Sequence, residues 1–225
     1  MKMHLNGAVF LFPLLATLCK GAVMVNLTRE AENYVQQRNI SGRIDSWGFD
    51  RYYDYWFQQQ QSREGEPIYG TADKLKCMKN EHNNGGLQIG TQTSQCTEGF
   101  SLYITHGIES PFRLSTEVDF PLIGKQQYGI KYGIPVDINN QTEIHKTVRT
   151  IPGTPYWRGC QFEVKVYFRG YFAYHHNEGL VEDGFYIPVD VKALKNTSKE
   201  LFEQHGELVY KVRGEYTESL CVWKE

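Results

Sequence analysis

Residues 100–120 read FSLYITHGIESPFRLSTEVDF, and residues 162–169 read FEVKVYFR. In the first stretch Phe100, Leu102 and Ile104 alternate with Ser101, Tyr103 and Thr105. After a turn, Phe112, Leu114, Thr116, Val118 and Phe120 alternate with Arg113, Ser115, Glu117 and Asp119. Period-two alternation puts each set on its own face of a strand, so 100–120 predicts an amphipathic β-hairpin. In the second stretch Phe162, Val164, Val166 and Phe168 oppose Glu163, Lys165, Tyr167 and Arg169, the cleanest two-faced strand in the chain. The expected fold is mainly β, with long twisted antiparallel strands running along an elongated molecule.

Between these strands, turns are expected at His106-Gly107, Gly124 and Gly133-Ile134-Pro135. The run Ile151-Pro152-Gly153-Thr154-Pro155 is expected to break a strand, because proline removes ladder donors and fixes φ. Two short helices are predicted. One starts at Leu27, with Ala31, Tyr34 and Val35 on one face and Gly42 as its stop. The other has Thr197 as N-cap, Glu200 completing a capping box, Leu201 and Phe202 inward, and Gly206 as its end. A last strand is read over 207–216.

Upstream, residues 47–57 (WGFDRYYDYWF) form the densest aromatic cluster, and an Asn83-Asn84-Gly85-Gly86 loop follows further on. Such a cluster packs a lobe, or presents Trp47, Tyr52, Tyr53, Tyr55 and Trp56 as a receptor- or glycan-binding platform. The organisation expected is a leader over 1–21, a smaller aromatic-rich N-terminal lobe over 22–98, and an elongated β-module over 99–225.

The leader reading rests on a basic start followed by the apolar run 8–19. Small residues before Ala22 suit cleavage, and the run is shorter than the roughly 20 residues of a membrane span. Cysteine usage agrees with export. Setting Cys19 aside, Cys77, Cys96, Cys160 and Cys221 are even in number and lack metal-like spacing, which predicts two disulfides. Three connectivities exist, and local loop closure favours Cys77 with Cys96 and Cys160 with Cys221. Sequons at Asn26, Asn39, Asn140 and Asn196 predict N-glycosylation of a secreted, extracellular protein.

A formal charge of −2 with no basic cluster excludes a nucleic-acid footprint. There is no nucleophile elbow, phosphate loop or His-Glu-x-x-His helix. His175 and His176 are strand neighbours whose side chains diverge, and Asp45, Asp50 and Asp54 beside aromatics fit sugar binding as well as catalysis. No catalytic, cofactor or metal residues are expected.

Phe120-Pro121, Gly124, the polar-alternating segment 142–150, Ile151-Pro152-Gly153-Thr154 and the strand 162–168 together resemble the aerolysin-like β-pore-forming family of epsilon-toxin and mosquitocidal-toxin type. With the leader, the sequons and the aromatic N-terminal segment, the chain looks most similar to animal, spherulin-like secreted members. The resemblance covers the middle third of the chain. It implies an elongated secreted protomer that homo-oligomerises on membrane lipid or a cell-surface glycan or receptor, then inserts an amphipathic hairpin located before Phe120-Pro121. On that analogy the inserting residues are Phe100, Leu102, Ile104, Phe112, Leu114 and Val118. The alternative expectation is a non-lytic extracellular binding or structural protein on the same fold.

Overall fold

The computed structural model describes residues 21–57, 65–78, 88–123, 131–177 and 184–222. The leader and the loop at 83–86 lie outside the described residues, as does the turn expected at Gly124.

The chain opens with β1 (Val23–Asn26) and α1 (Leu27–Arg38). The Asn26 side chain caps the helix by accepting a hydrogen bond from the Arg29 N–H at 2.9 Å. β2 (Ile44–Gly48) and a 3₁₀ turn (Asp54–Trp56) precede three short strands, β3 (Tyr69–Ala72), β4 (Lys76–Cys77) and β5 (Gln88–Ile89). The long elements follow: β6 (Thr93–Glu109), β7 (Ser115–Phe120), β8 (Tyr132–Asp137) and β9 (Glu143–Arg169). β10 (Tyr171–His176), β11 (Phe185–Asp190), a 3₁₀ segment (Val191–Asn196), β12 (Phe202–Gln204) and β13 (Glu207–Val222) complete it. The mainly-β expectation holds.

One large curled sheet organises the molecule. β9, at 27 residues, is its axis. Its first part, to Gly153, pairs with β6, and from Thr154 onward it pairs with β13; β6 and β13 also pair with each other. The prolines at 152 and 155 therefore mark a change of partner within one continuous strand, not the break read from sequence. β3, β4 and β5 pair with the far edge of β9. β1 runs parallel to β6 at 106–109, on the edge that β9 occupies at 93–103.

β10, β11 and β2 make a three-stranded sheet. It is reached through Gly170, whose φ of +98° and close approach to the Pro67 carbonyl exclude a side chain. β7 and β8 form a two-stranded sheet of their own.

Period-two burial explains the core. Phe162, Val164, Val166 and Phe168 are fully buried, as are Leu102, Ile104, Leu208 and Val212. The same cluster includes Val25, Leu27 and Ala31 from the N-terminal segment. The boundary expected between 98 and 99 thus falls inside β6, and of the strands before it β1, β3, β4 and β5 belong to the main sheet while β2 pairs with β10.

Three further readings are corrected. The disulfides are Cys77–Cys160 and Cys96–Cys221, because strand register sets these pairs side by side: Cys77 faces Phe162 on β9, two residues from Cys160. Cys221 closes the end of β13 against β6. Residues 202–209 form a hairpin, not the end of a helix. His205 and Gly206, both at positive φ, make the two-residue turn that joins β12 to β13. Gly107 and the Gly133-Ile134-Pro135 run sit inside β6 and β8 rather than at turns.

Candidate functional site: a two-faced strap on the main sheet

Residues 100–120 do not fold as one hairpin. β6 is a central strand with partners on both edges, and β7 pairs with β8 instead. Alternation correctly marked two amphipathic strands, but consecutive strands need not be partners. Of the residues expected to insert, Phe100, Leu102 and Ile104 are core of the main sheet. Phe112 stacks on Phe49, ring centroids 5.7 Å apart. Leu114 and Val118 belong to a different object, the strap formed by β7 and β8.

The strap is two-faced along its length. Leu114, Thr116, Val118 and Phe120 on one arm and Val136 and Ile138 on the other are buried against the main sheet. Ser115, Glu117, Asp119 and Asp137 face outward. Its roots are clasped: Asn139 accepts from the Ser110 N–H at 2.8 Å and donates to the Ser110 carbonyl at 2.9 Å.

Polar ties hold it elsewhere. Thr116 Oγ1 donates to the Asp73 carbonyl at 2.6 Å, and the Leu75 N–H donates to the Glu117 carbonyl. Lys74 pairs with Glu117 and Asp119, and their hydrogen bonds, Glu117's first, raise its pKa. Beyond β7, the buried Glu218 carboxylate accepts the N–H groups of Leu122 and Ile123 and the Tyr216 hydroxyl. Burial, then the charge of Glu218, pushes the Tyr216 phenol far above its ordinary range.

None of the four bridged cysteines lies in β7 or β8. Both disulfides staple strands of the main sheet, whose register they fix.

The aromatic platform is mostly inward-facing. Tyr55 and Trp56 are buried, Trp47 and Tyr53 half-buried, and of the five expected contact residues Tyr52 alone is well exposed, at 68%. Tyr53 and Tyr55 pack on Tyr186, which also lies 4.8 Å from the His175 ring. His175 is paired with Asp45 at 2.8 Å, and Asp50 accepts the Tyr52 N–H, so these acids serve local structure. Among the described residues no group of side chains could hold a metal ion.

Asn140 and Asn196 are exposed. Asn26 and Asn39 are half-buried, and Asn39 bonds both backbone groups of Ile44.

Sequence reading missed one constellation. Ser101 Oγ lies 2.8 Å from His145 Nδ1, and His145 Nε2 lies 2.9 Å from Glu143 Oε1, across the β6–β9 ladder. The order resembles a hydrolase relay. However, His145 and Glu143 are two-thirds exposed, and β6 is laddered on both edges beside Ser101, so no N–H pair is left to stabilise an oxyanion. The signal was Ser101 and His145 at matching odd positions of two polar faces, and only the register brings them together.

No family model matches the sequence, and no curated protein matches it. Among solved structures the chain is similar to a non-toxic crystal protein from Bacillus thuringiensis, at 13% identity over 89% of this chain and 94% of that one, with a TM-score of 0.44. It is also similar to a chain of the Cry23Aa1–Cry37Aa1 binary protein complex, at 11% identity, coverage of 89% and 86%, and a TM-score of 0.46. A third is the Mpp75Aa1.1 β-pore-forming protein from Brevibacillus laterosporus, at 10% identity, coverage of 88% and 87%, and a TM-score of 0.37.

Proposed function

We propose that this is a secreted, membrane-active protein that oligomerises on a lipid surface and inserts residues 114–138 as a transmembrane β-hairpin. The observation that carries the reading is the strap itself, a separately paired amphipathic hairpin. Its apolar face is hidden in the protomer, and its two ends return to strands that are already antiparallel neighbours. Tyr103 faces Glu143 across the β6–β9 ladder, so the intervening chain can extend that ladder once released. β1 holds the next positions of that β6 edge and must yield for the extension to proceed.

Length fits. A tilted strand crosses a bilayer in about 9–11 residues, and the 25 residues from Leu114 to Ile138 supply two such arms and a turn. Burial of Leu114, Val118, Phe120, Val136 and Ile138 holds the strap down by roughly 7–15 kcal/mol, so release requires lipid to take over the same face. The outward residues would then line a wet lumen.

The test is dye release from phosphatidylcholine–cholesterol vesicles, read beside detergent-resistant oligomers. A Lys74→Cys/Glu117→Cys double variant, closed by a short bismaleimide, ties the strap to the body. Release by the open double variant and its loss on closure are expected; equal release from both forms overturns the assignment. Absence of release from wild-type protein overturns the pore reading itself.

A further inference from the structure

We infer that the polar face of the curled sheet carries a saccharide-binding site centred on Trp157. Because β9 flanks β6 with its first part and β13 with its second, four strand segments share one face. Register lines up Thr147, Gly99, Ser219 and Trp157 in one row, and His145, Ser101, Thr217 and Gly159 in the next. A depression of about 230 Å³ opens between them.

Gly99 leaves its floor as bare backbone, and Gly159 does the same beside Thr217 in the adjoining row. At position 99 a Cβ would stand 2.2 Å from the Lys146 carbonyl oxygen, so no side chain fits there; at 159 it would stand 3.1 Å from the Tyr216 carbonyl oxygen. On this floor stands a large aromatic ring, 37% exposed in an otherwise hydroxyl-rich face. The ring is propped from behind, its Cη2 and Cζ3 atoms packing against Gly90 closely enough to exclude a side chain at that position. It is therefore held in place before any ligand arrives.

The chemistry fits a sugar ring, which has an apolar C–H face and a rim of hydroxyls. Trp157 offers the flat apolar surface. Ser101, Thr147, Thr217 and Ser219 offer hydroxyls that both donate and accept. Ser219 already donates to the Thr97 carbonyl and keeps its lone pairs; no protein hydrogen bond engages the Thr147 or Thr217 hydroxyl among the described residues. His145, both ring nitrogens engaged by Ser101 and Glu143, adds a flat ring held in a fixed orientation. Lys146 is the one lysine in a lining without arginine, and four hydroxyl side chains with one indole beside that single ammonium suit a saccharide better than the bidentate grip a phosphate or sulfate favours.

The site is independent of the strap, and the experiment uses no membrane. Disulfide-intact protein with 15N-labelled tryptophan is titrated with methyl α-mannoside, methyl β-galactoside, N-acetylglucosamine and maltotriose, up to about 50 mM. At least one sugar should move the Trp157 indole resonance with a Kd of about 1 mM, as befits one ring and few contacts. Trp157→Ala should weaken binding of that sugar at least about ten-fold and Thr217→Val about three-fold, followed by the sugar's own proton resonances. Thr217→Val keeps the side-chain shape and decides the matter if Trp157→Ala fails to fold. No shift with any of the four sugars, or binding that survives both substitutions, overturns the site and leaves the strap proposal intact.

Discussion

Lys74 is ion-paired with Glu117: an ammonium from the segment entering β4 grips the outward face of the strap, and Asp119 lies 3.3 Å from the same nitrogen. The contact joins two parts of the chain 43 residues apart, one fixed to the main sheet and one proposed to leave it. All three groups are well solvated, so the pair tunes release without dominating it. Lys74→Ala should raise the initial rate of vesicle dye release by about two- to five-fold, and Lys74→Glu by more, with little change in Tm. An unchanged rate in Lys74→Glu would show that this contact does not gate the strap.

The charges on the outward face set a second expectation. If the hairpin inserts with Leu114, Val118, Val136 and Ile138 toward lipid, then Glu117, Asp119 and Asp137 are brought to the lumen. Rings of carboxylates attract cations. A planar bilayer under a potassium chloride gradient should give a reversal potential of cation-selective sign, and Glu117→Gln/Asp119→Asn should move it toward zero. Anion selectivity in the wild-type pore would contradict this facing.

Reduction tests the disulfides. A hairpin at 100–120 would have been tethered by Cys96, and reductant would then be a trigger. With the strap at 114–138, both bridges join cysteines outside it. The bridges close loops of 83 and 125 residues in the main sheet, worth roughly 3–5 kcal/mol each through the unfolded chain. Removing Cys96–Cys221 by double alanine substitution should lower Tm by several degrees while leaving the rate of dye release per folded protein within about two-fold of wild type. A large acceleration would mean the main sheet itself must open.

How much of this was legible from the residues depends on the kind of information needed. Faces were legible: 162–168 alternates without exception, and every apolar member is buried. Partners were not. Phe100, Leu102 and Ile104 show the same alternation as Leu114 and Val118, yet one set lies on a central strand and the other on the strap, because pairing is decided by long-range register. The disulfides failed for the same reason, since loop closure is a local argument and the bridges join strands distant in sequence. At 197–206 the capping box competed with a His-Gly turn at positive φ, and the hairpin won because β12 gains ladder bonds along β13. The hydroxyl-rich face proposed to bind a saccharide was written in the odd positions of β6, β9 and β13, but only the wrapping of β9 around two partners sets them on one surface.

Acid should weaken the main sheet. Glu163 on β9 sits between Lys211 and Arg213 of β13, at 3.2 and 3.1 Å. Partial burial pushes its pKa up, but hydrogen bonds from Lys211 and Arg213 outweigh this and hold it below the ordinary 4.5. The hydrogen bond from His175 likewise lowers Asp45 below 3.8. For a carboxyl whose folded pKa is depressed, the unfolded chain binds the proton first. Its stabilisation is therefore complete above the unfolded pKa and disappears as pH falls through the folded one. Tm should hold near neutrality and fall as pH drops from about 4.5 toward 3. Glu163→Gln should lower Tm at pH 7 and flatten that fall, because it removes the titrating group together with its two charged partners' benefit. Parallel Tm profiles for wild type and Glu163→Gln from pH 7 to 3 would show that this bridge contributes nothing to the acid response.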